Sequence, residues 1–177
     1  MFRIKDIQPL TPYGNYTVDI SWKYLPIVFK EWDMENGLVL NPDFQREHVW
    51  TEEQQIKYVE FCLRGGKTGR IILFNSKGWG SGKGLYPIVL VDGKQRVYSV
   101  RKFLNNKLKV FGHFLNEYED GLNSVRDRFH VYINNLETKK EVLQWYLDLN
   151  DGGTIHTQEE LNKVRNMIKH CHKHLPI

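Results

Sequence analysis

Short apolar runs alternate along the chain with apolar residues at helical spacing, which predicts strands interleaved with helices. Consecutive apolar residues predict strands at 38–40, 70–74, 86–91, 108–111 and 129–133, after a looser alternation up to residue 20 that fits an edge strand. Helical spacing predicts helices over 21–37, 51–65, 93–105 and 137–149, and a last helix that begins near 157. This order of elements predicts an α+β fold.

Several positions in these segments predict local structure in more detail. Thr51 and Gln54 have the spacing of a capping box at the start of the second helix. The run Ile88–Val91 is apolar on both faces, so we expect this strand inside the sheet. The glycine-containing loop 75–84 is expected to close a hairpin and to be mobile, and Trp50 to pack as a buried anchor.

Length and composition describe one ordinary globular domain. The 177 residues are 41% hydrophobic and 26% charged, so we treat 1–177 as a single domain with its core at about 21–135 and C-terminal helices at about 136–174. No apolar run is long enough to cross a membrane, and the two cysteines suit a reducing cytoplasm. The net charge of +4 permits a phosphate-bearing partner without requiring one.

Two fragments resemble known phosphate or metal motifs but are incomplete. Gly66-Lys67-Thr68 ends like a P-loop, but Phe61 stands where the leading glycine belongs. The tail 169–174 is rich in His and Lys, but no second ligand cluster accompanies it to close a zinc site. We interpret this tail as the charged end of a helix.

On chemistry alone, the best candidate site is the turn that follows the strand Ile88–Val91. Asp92-Gly93 leads into a helix whose first turn carries Lys94 and Arg96. Free backbone N–H groups at the helix start, a glycine that allows close approach and two cations suit a phosphate. A structural alternative stays open, in which Asp92 caps the helix and Arg96 forms a solvated ion pair.

Three separated motifs resemble the N-terminal domain of GmrSD-type modification-dependent restriction enzymes. Pro42–Trp50 is similar to the family's "P-x-[YF]-Q-R-x-x-V-W" segment, and Asp92–Arg96 to its "DGQQR" segment after an apolar strand. Leu149–Gly153 is similar to "LNxGG", and Thr157–Leu161 to the "[ST]xxEL" helix that follows it. Order and spacing agree over roughly residues 21–165.

The resemblance implies a ParB/sulfiredoxin-like fold, a small mixed sheet with flanking helices, and a nucleotide site at the arginine-bearing turn. In that fold the turn binds the phosphates of ATP or CTP, depending on the branch. The implied NTP-binding residues are Gln45, Arg46, Asp92, Gly93, Lys94, Gln95 and Arg96. Lys94 stands where the family usually has glutamine.

The resemblance therefore implies an enzyme that hydrolyses an NTP or transfers its phosphoryl group, linked to DNA modification or phage defence. Arg46 and Arg96 would clamp phosphate oxygens, Lys94 would add a charge, and Asp92 would hold Mg²⁺ or orient a nucleophile. The sequence contains no HNH nuclease pattern, so we do not expect this chain alone to cut DNA. Either a nuclease or another defence protein acts as its partner, or the protein does something else.

Two other functions stay open on the sequence. The first is a DNA-binding module without turnover, in which the loop 77–83 with Trp79 and the basic helix 163–173 follow a nucleic-acid backbone. The second is an inhibitory partner in a restriction or defence system that keeps the fold without the chemistry. Nucleotide hydrolysis and salt-dependent DNA binding distinguish these functions from the first.

Overall fold

A mixed β-sheet forms the centre of the protein, in a computed structural model that describes residues 16–79, 86–150 and 158–171. Within these residues the sheet has five strands in the order β1-β5-β3-β4-β2. The strands are β1 (Tyr16–Ser21), β2 (Leu38–Val39), β3 (Ile71–Asn75), β4 (Ile88–Asp92) and β5 (Arg128–Asn134). The α-helices are α1 (Leu25–Asn36), α2 (Glu52–Leu63), α3 (Lys94–Leu104), α4 (Lys139–Asn150) and α5 (Gln158–His170).

The pairing of the strands places β4 inside the sheet, as its apolar sequence predicted. It pairs antiparallel with β3 on one side and parallel with the short β2 on the other, and Ile88–Val91 are all buried. The remaining pairs are β3 with β5, which is parallel, and β1 with β5, which is antiparallel. The α+β prediction, with a small mixed sheet, flanking helices and C-terminal helices, is confirmed.

The sheet separates two apolar cores, because successive side chains of a strand point to opposite faces. Ile88 and Leu90 of β4 pack in the core under α1, α2 and α3. Val89 and Val91 pack in the other core, whose helical residues belong to α4 and α5. Both faces of β4 are therefore covered, and the strand end at Asp92 is held from two sides.

Some predicted elements differ from the structure. The predicted strand 108–111 is wrong, because only Val110 forms a bridge, to His113, and the chain turns between them. The first helix begins at Leu25 and not at 21, because Ser21 ends β1 and Pro26 sits in the first helical turn, where proline is tolerated. Trp50 is only half-buried, so the prediction that it packs as a buried anchor is wrong.

The predicted hairpin is confirmed by the antiparallel pairing of β3 with β4. Residues 80–85 of its loop lie outside the described residues, so the expected mobility of 75–84 stays a prediction. Trp79, at the described end of this loop, packs edge-on against Trp32 with ring centroids 5.8 Å apart. Its ring therefore packs against the core, and this contact would compete with stacking of Trp79 on a base.

Candidate functional site

The turn between β4 and α3 has a backbone geometry that requires glycine. Gly93 has φ +102° and is the N-cap of α3. A Cβ at this position would lie 3.4 Å from Ile72 Cγ2 and 3.5 Å from the Ile71 carbonyl oxygen. Gly93 has no side chain with which to cap the helix, so the first turn of α3 lacks the usual partner for its backbone N–H groups.

The segment 42–50 is fastened to this turn, although about 45 residues of chain separate the two. The side-chain amide of Gln45, which is buried, donates to the carbonyl oxygens of Leu90 and Val91 at 2.7 Å each. Lys94 Nζ donates to the carbonyl oxygen of Arg46 at 2.6 Å. The first two sequence motifs therefore meet at one place, as the resemblance implied.

Gln95 completes this connection from the first turn of α3. Its Oε1 accepts from the backbone N–H groups of Val49 and Trp50 at 3.1 and 3.2 Å, and its Nε2 donates to the Glu47 carbonyl at 3.3 Å. The amides of Gln45 and Gln95 are thus used to hold the two segments together. This leaves the charged residues of the set as the groups best suited to a ligand.

A cavity of about 530 Å³ opens where the two segments meet. All seven residues predicted for the nucleotide site line it. The other lining residues come from α2, α4 and nearby positions and are Trp50, Tyr58, Gly69, Leu73, Val91, Tyr146, Leu149 and Asn150. The cavity is large enough for a nucleotide-sized ligand.

The two arginines of the cavity are each paired with a carboxylate. Arg96 Nη2 forms an ion pair with Asp92, the side chains being 20% and 42% exposed. Arg46 Nη1 lies 3.6 Å from Glu160 of α5. Asp92 does not cap α3, so that part of the structural alternative is wrong, whereas the partly exposed ion pair of Arg96 is present.

Burial shifts the pKa of two groups that line the cavity. Partial burial lowers the pKa of the Lys94 ammonium below its ordinary value, while the nearby Glu47 carboxylate opposes the shift. Burial raises the pKa of Tyr146 to about 12, with Arg46 opposing and Glu160 and Asp92 adding to the shift. Tyr146 therefore presents a neutral hydroxyl at neutral pH.

The donors at the cavity fit Mg²⁺ only in one way. The described residues contain no cluster of three or more His, Cys, Asp or Glu side chains that could hold a metal ion. Asp92 is the only carboxylate among the described residues that line the cavity. A single carboxylate fits an ion whose other ligands are water and substrate phosphates, and not a cage made by the protein alone.

Sequence reasoning missed the residues that α2 and α4 contribute to the cavity. Tyr58 and Tyr146 were part of helical apolar patterns, which indicate core packing and not a site. Leu149 and Asn150 belong to the third motif of the resemblance, which had no assigned role, and both line the cavity. Residues 151–157 lie outside the described residues.

The fold and the cavity define an α+β protein in which arginine and lysine side chains gather around the uncapped start of a helix. Comparison with known families finds a match to the GmrSD restriction endonuclease, N-terminal domain, over residues 30–175. The chain belongs to this family, which links it to restriction and phage-defence systems. Searches of curated proteins and of solved structures gave no match. None of the described helices is long and apolar enough to span a membrane.

Proposed function

We propose that this protein binds a nucleoside triphosphate in the cavity and hydrolyses it or transfers its phosphoryl group, within a restriction or phage-defence system. The observation that carries the proposal is the uncapped start of α3, which opens into a cavity that also holds Arg46, Lys94 and Arg96. Backbone N–H groups, the helix dipole and three cations together favour a polyphosphate.

Phosphate binding would change the partner of Arg96. Its guanidinium has five N–H donors, and an incoming phosphate would take over those that now face Asp92. The Asp92 carboxylate would then be available for Mg²⁺ carried by the phosphates, or for orienting a nucleophile. The Asp92–Arg96 ion pair would thus hold both groups in place before the ligand arrives.

Other residues that line the cavity are suited to contact the parts of the nucleotide other than its phosphates. Trp50 and Tyr58 form an aromatic wall, with ring centroids 5.4 Å apart in an edge-on arrangement. A base could pack on this wall while the phosphates lie at α3. Tyr146 of α4 lines the same cavity with a neutral hydroxyl.

The test uses Arg96→Ala, with Arg101→Ala as a matched control on the same helix. A lost charge-assisted hydrogen bond is worth roughly 1.5–3 kcal/mol, so we expect NTP affinity in Mg²⁺ to fall ~10–100-fold. Arg96→Lys should restore affinity only in part, because an ammonium lacks the bidentate fork. Arg101 is exposed and does not line the cavity, so its loss should leave affinity unchanged.

Binding should be measured by calorimetry with each of the four common NTPs, and turnover by release of labelled phosphate. Thermal melts should change little in Arg96→Ala, because a partly exposed ion pair contributes about 0–1 kcal/mol. A variant that melts normally and binds every nucleotide as well as the wild type would contradict the proposed site. Binding without phosphate release would mean that the protein is a nucleotide-sensing module and not an enzyme.

A further inference from the structure

The tight turn at 110–113 presents an aromatic ring in an unusual backbone position. Val110 and His113 exchange two backbone hydrogen bonds, of 2.8 and 3.0 Å, across a two-residue turn. The central residues, Phe111 and Gly112, have φ +47° and +81°. Turns with two positive φ angles favour Asn-Gly, and a bulky side chain at the first of these positions is disfavoured.

Contacts from two sides hold this strained turn. Glu60 Oε1 of α2 accepts from the Phe111 backbone N–H at 3.0 Å. Tyr118 Oη donates to the Val110 carbonyl at 2.5 Å. The Phe111 side chain nevertheless stays 40% exposed, so burial of the ring does not explain its position. Strain that is kept without burial of the side chain points to a role for the exposed ring.

A second exposed ring and an arginine belong to the same face. Arg64 Cζ lies 5.1 Å from the centroid of the Phe111 ring. Phe61 of α2 is 44% exposed and stands three residues before Arg64, the C-cap residue of that helix, so the two side chains share a face. The Phe61 ring lies against Gly66, where a Cβ would come within 2.4 Å of it.

Lysine and arginine are concentrated in the two segments that carry these rings. The segments 61–69 and 105–114 carry four lysines and arginines and no Asp or Glu, and these cations are Arg64, Lys67, Lys107 and Lys109. All four are exposed. The neighbouring carboxylates of Glu60 and Glu117 accept hydrogen bonds from the backbone N–H groups of Phe111 and Phe114. Lys109 Nζ lies 5.0 Å from the centroid of the Phe114 ring. We call Phe61, Arg64 and Phe111, together with the cations Lys67 and Lys109 of the same two segments, the Phe111 surface.

We infer that the Phe111 surface binds single-stranded nucleic acid, with bases stacked on Phe61 and Phe111 and phosphates near Arg64, Lys67 and Lys109. Exposed aromatic rings among cations are the combination that binds single strands, because every base has a face that can stack. A duplex keeps its bases stacked inside and cannot use the rings. The charge disfavours a basic protein partner, and none of these residues lines the cavity, so the inference does not depend on the proposed nucleotide site.

The test measures binding of fluorescein-labelled oligothymidylate and oligouridylate of about 20 nucleotides by anisotropy, beside a duplex of equal length. Phe111→Asn removes the ring but keeps a residue that tolerates positive φ, so the turn should survive. We expect its affinity for single strands to fall about 5- to 100-fold, and Phe111→Tyr to bind like the wild type. Arg64→Gln should weaken binding and reduce the slope of log K against log salt by about one.

Met34→Ala, at a side chain 76% exposed on α1, is the control and should bind like the wild type. Preference for DNA or for RNA would identify the source of the strand, and either one supports the inference. Three results would overturn it: no binding by the wild type at about 50 mM salt, tighter binding of the duplex, or unchanged binding by a folded Phe61→Ser, Phe111→Asn double variant. Thermal melts establish that each variant is folded.

Discussion

Helices α2 and α3 pack against each other, yet their N-termini are built in opposite ways. At α2, Thr51 and Gln54 form a complete capping box, and Glu52 and Glu53 place negative charge in the first turn. At α3, Gly93 provides no side-chain cap. The first turn of α3 contains no acidic residue and carries Lys94 and Arg96 instead.

This difference separates a helix end built for stability from one suited to a ligand. Acidic residues in a first turn stabilise a helix by about 0.3–1 kcal/mol each, and cations there act in the opposite direction. The start of α2 is thus satisfied by its own residues, whereas the start of α3, which has no acidic residue in its first turn, would gain from an anion. The departure from the stabilising pattern marks the candidate site more clearly than any single residue does.

The largest effect that we expect is a difference in the free energy of unfolding between variants of two buried glutamines. Gln45 contacts the strand that leads into α3, and Gln55 belongs to α2. Gln45→Leu removes the donor to two carbonyl oxygens of β4, just before α3, and should lower the free energy of unfolding by about 2–4 kcal/mol. Gln55→Leu in α2 removes one hydrogen bond, to the Trp50 carbonyl, and one buried Oε1 without a partner among the described residues.

The Gln55→Leu variant should therefore lose less than about 1 kcal/mol. Urea unfolding of both variants checks the difference. Equal losses would mean that Gln45 does not hold the strand end in the way its two contacts indicate.

The second prediction concerns the backbone at the start of α3. Gly93→Ala forces a side chain into φ +102° and should cost about 1–3 kcal/mol of stability and weaken nucleotide binding. Gly121→Ala is the matched control, since φ +50° lies in the left-handed region and a Cβ there meets nothing within 4 Å. Urea unfolding should rank Gly93→Ala as the more damaging change, and the reverse order would remove the argument for a required glycine.

How far the sequence predicted the structure depended on how local each signal was. The Thr51–Gln54 box and the buried strand Ile88–Val91 were predictable, because spacing within one segment determines them. The meeting of Gln45 with β4 was implied only by the family resemblance, since local patterns do not report contacts between distant segments. Tyr146 escaped notice because a residue at the edge of a cavity has the same helical spacing as one in the core.

The strand predicted at 108–111 failed for a related reason. Its apolar residues fit a strand, but Phe111-Gly112 adopts positive φ angles that turn the chain. Phenylalanine is an uncommon residue at that position, so turn preferences gave no warning. The misread segment is also the one that presents the Phe111 surface.

The third prediction tests the α2 end alone. Thr51→Ala removes the side-chain acceptor for the Gln54 backbone N–H and should cost about 1 kcal/mol of stability. Because the capping box does not line the cavity, NTP affinity should stay at the wild-type value. Urea unfolding and NTP binding, measured on the same variant, test whether stability falls without a loss of affinity. The prediction would be wrong if Thr51→Ala weakened NTP binding as much as Arg96→Ala does.

The smallest effect that we expect is a change in the pKa of His48, which responds to two lysines of α3. His48 stacks on Tyr98 with ring centroids 3.9 Å apart. Burial first, then the charges of Lys102 and Lys94, lower the pKa of His48 below its ordinary value of 6.5. As the pH falls below that value, the unfolded chain takes up the proton before the folded one does, so the folded state loses stability until the pH reaches the folded pKa.

An NMR titration of the His48 ring from about pH 8 to about pH 4 measures this effect directly. Lys102→Gln should raise the pKa of His48 more than Lys94→Gln does, because Lys102 contributes the larger of the two charge effects. The double variant should keep a pKa below 6.5, since burial remains. A pKa of His48 that does not respond to Lys94→Gln would mean that Lys94 exerts no positive field on His48, which weakens the contrast with α2.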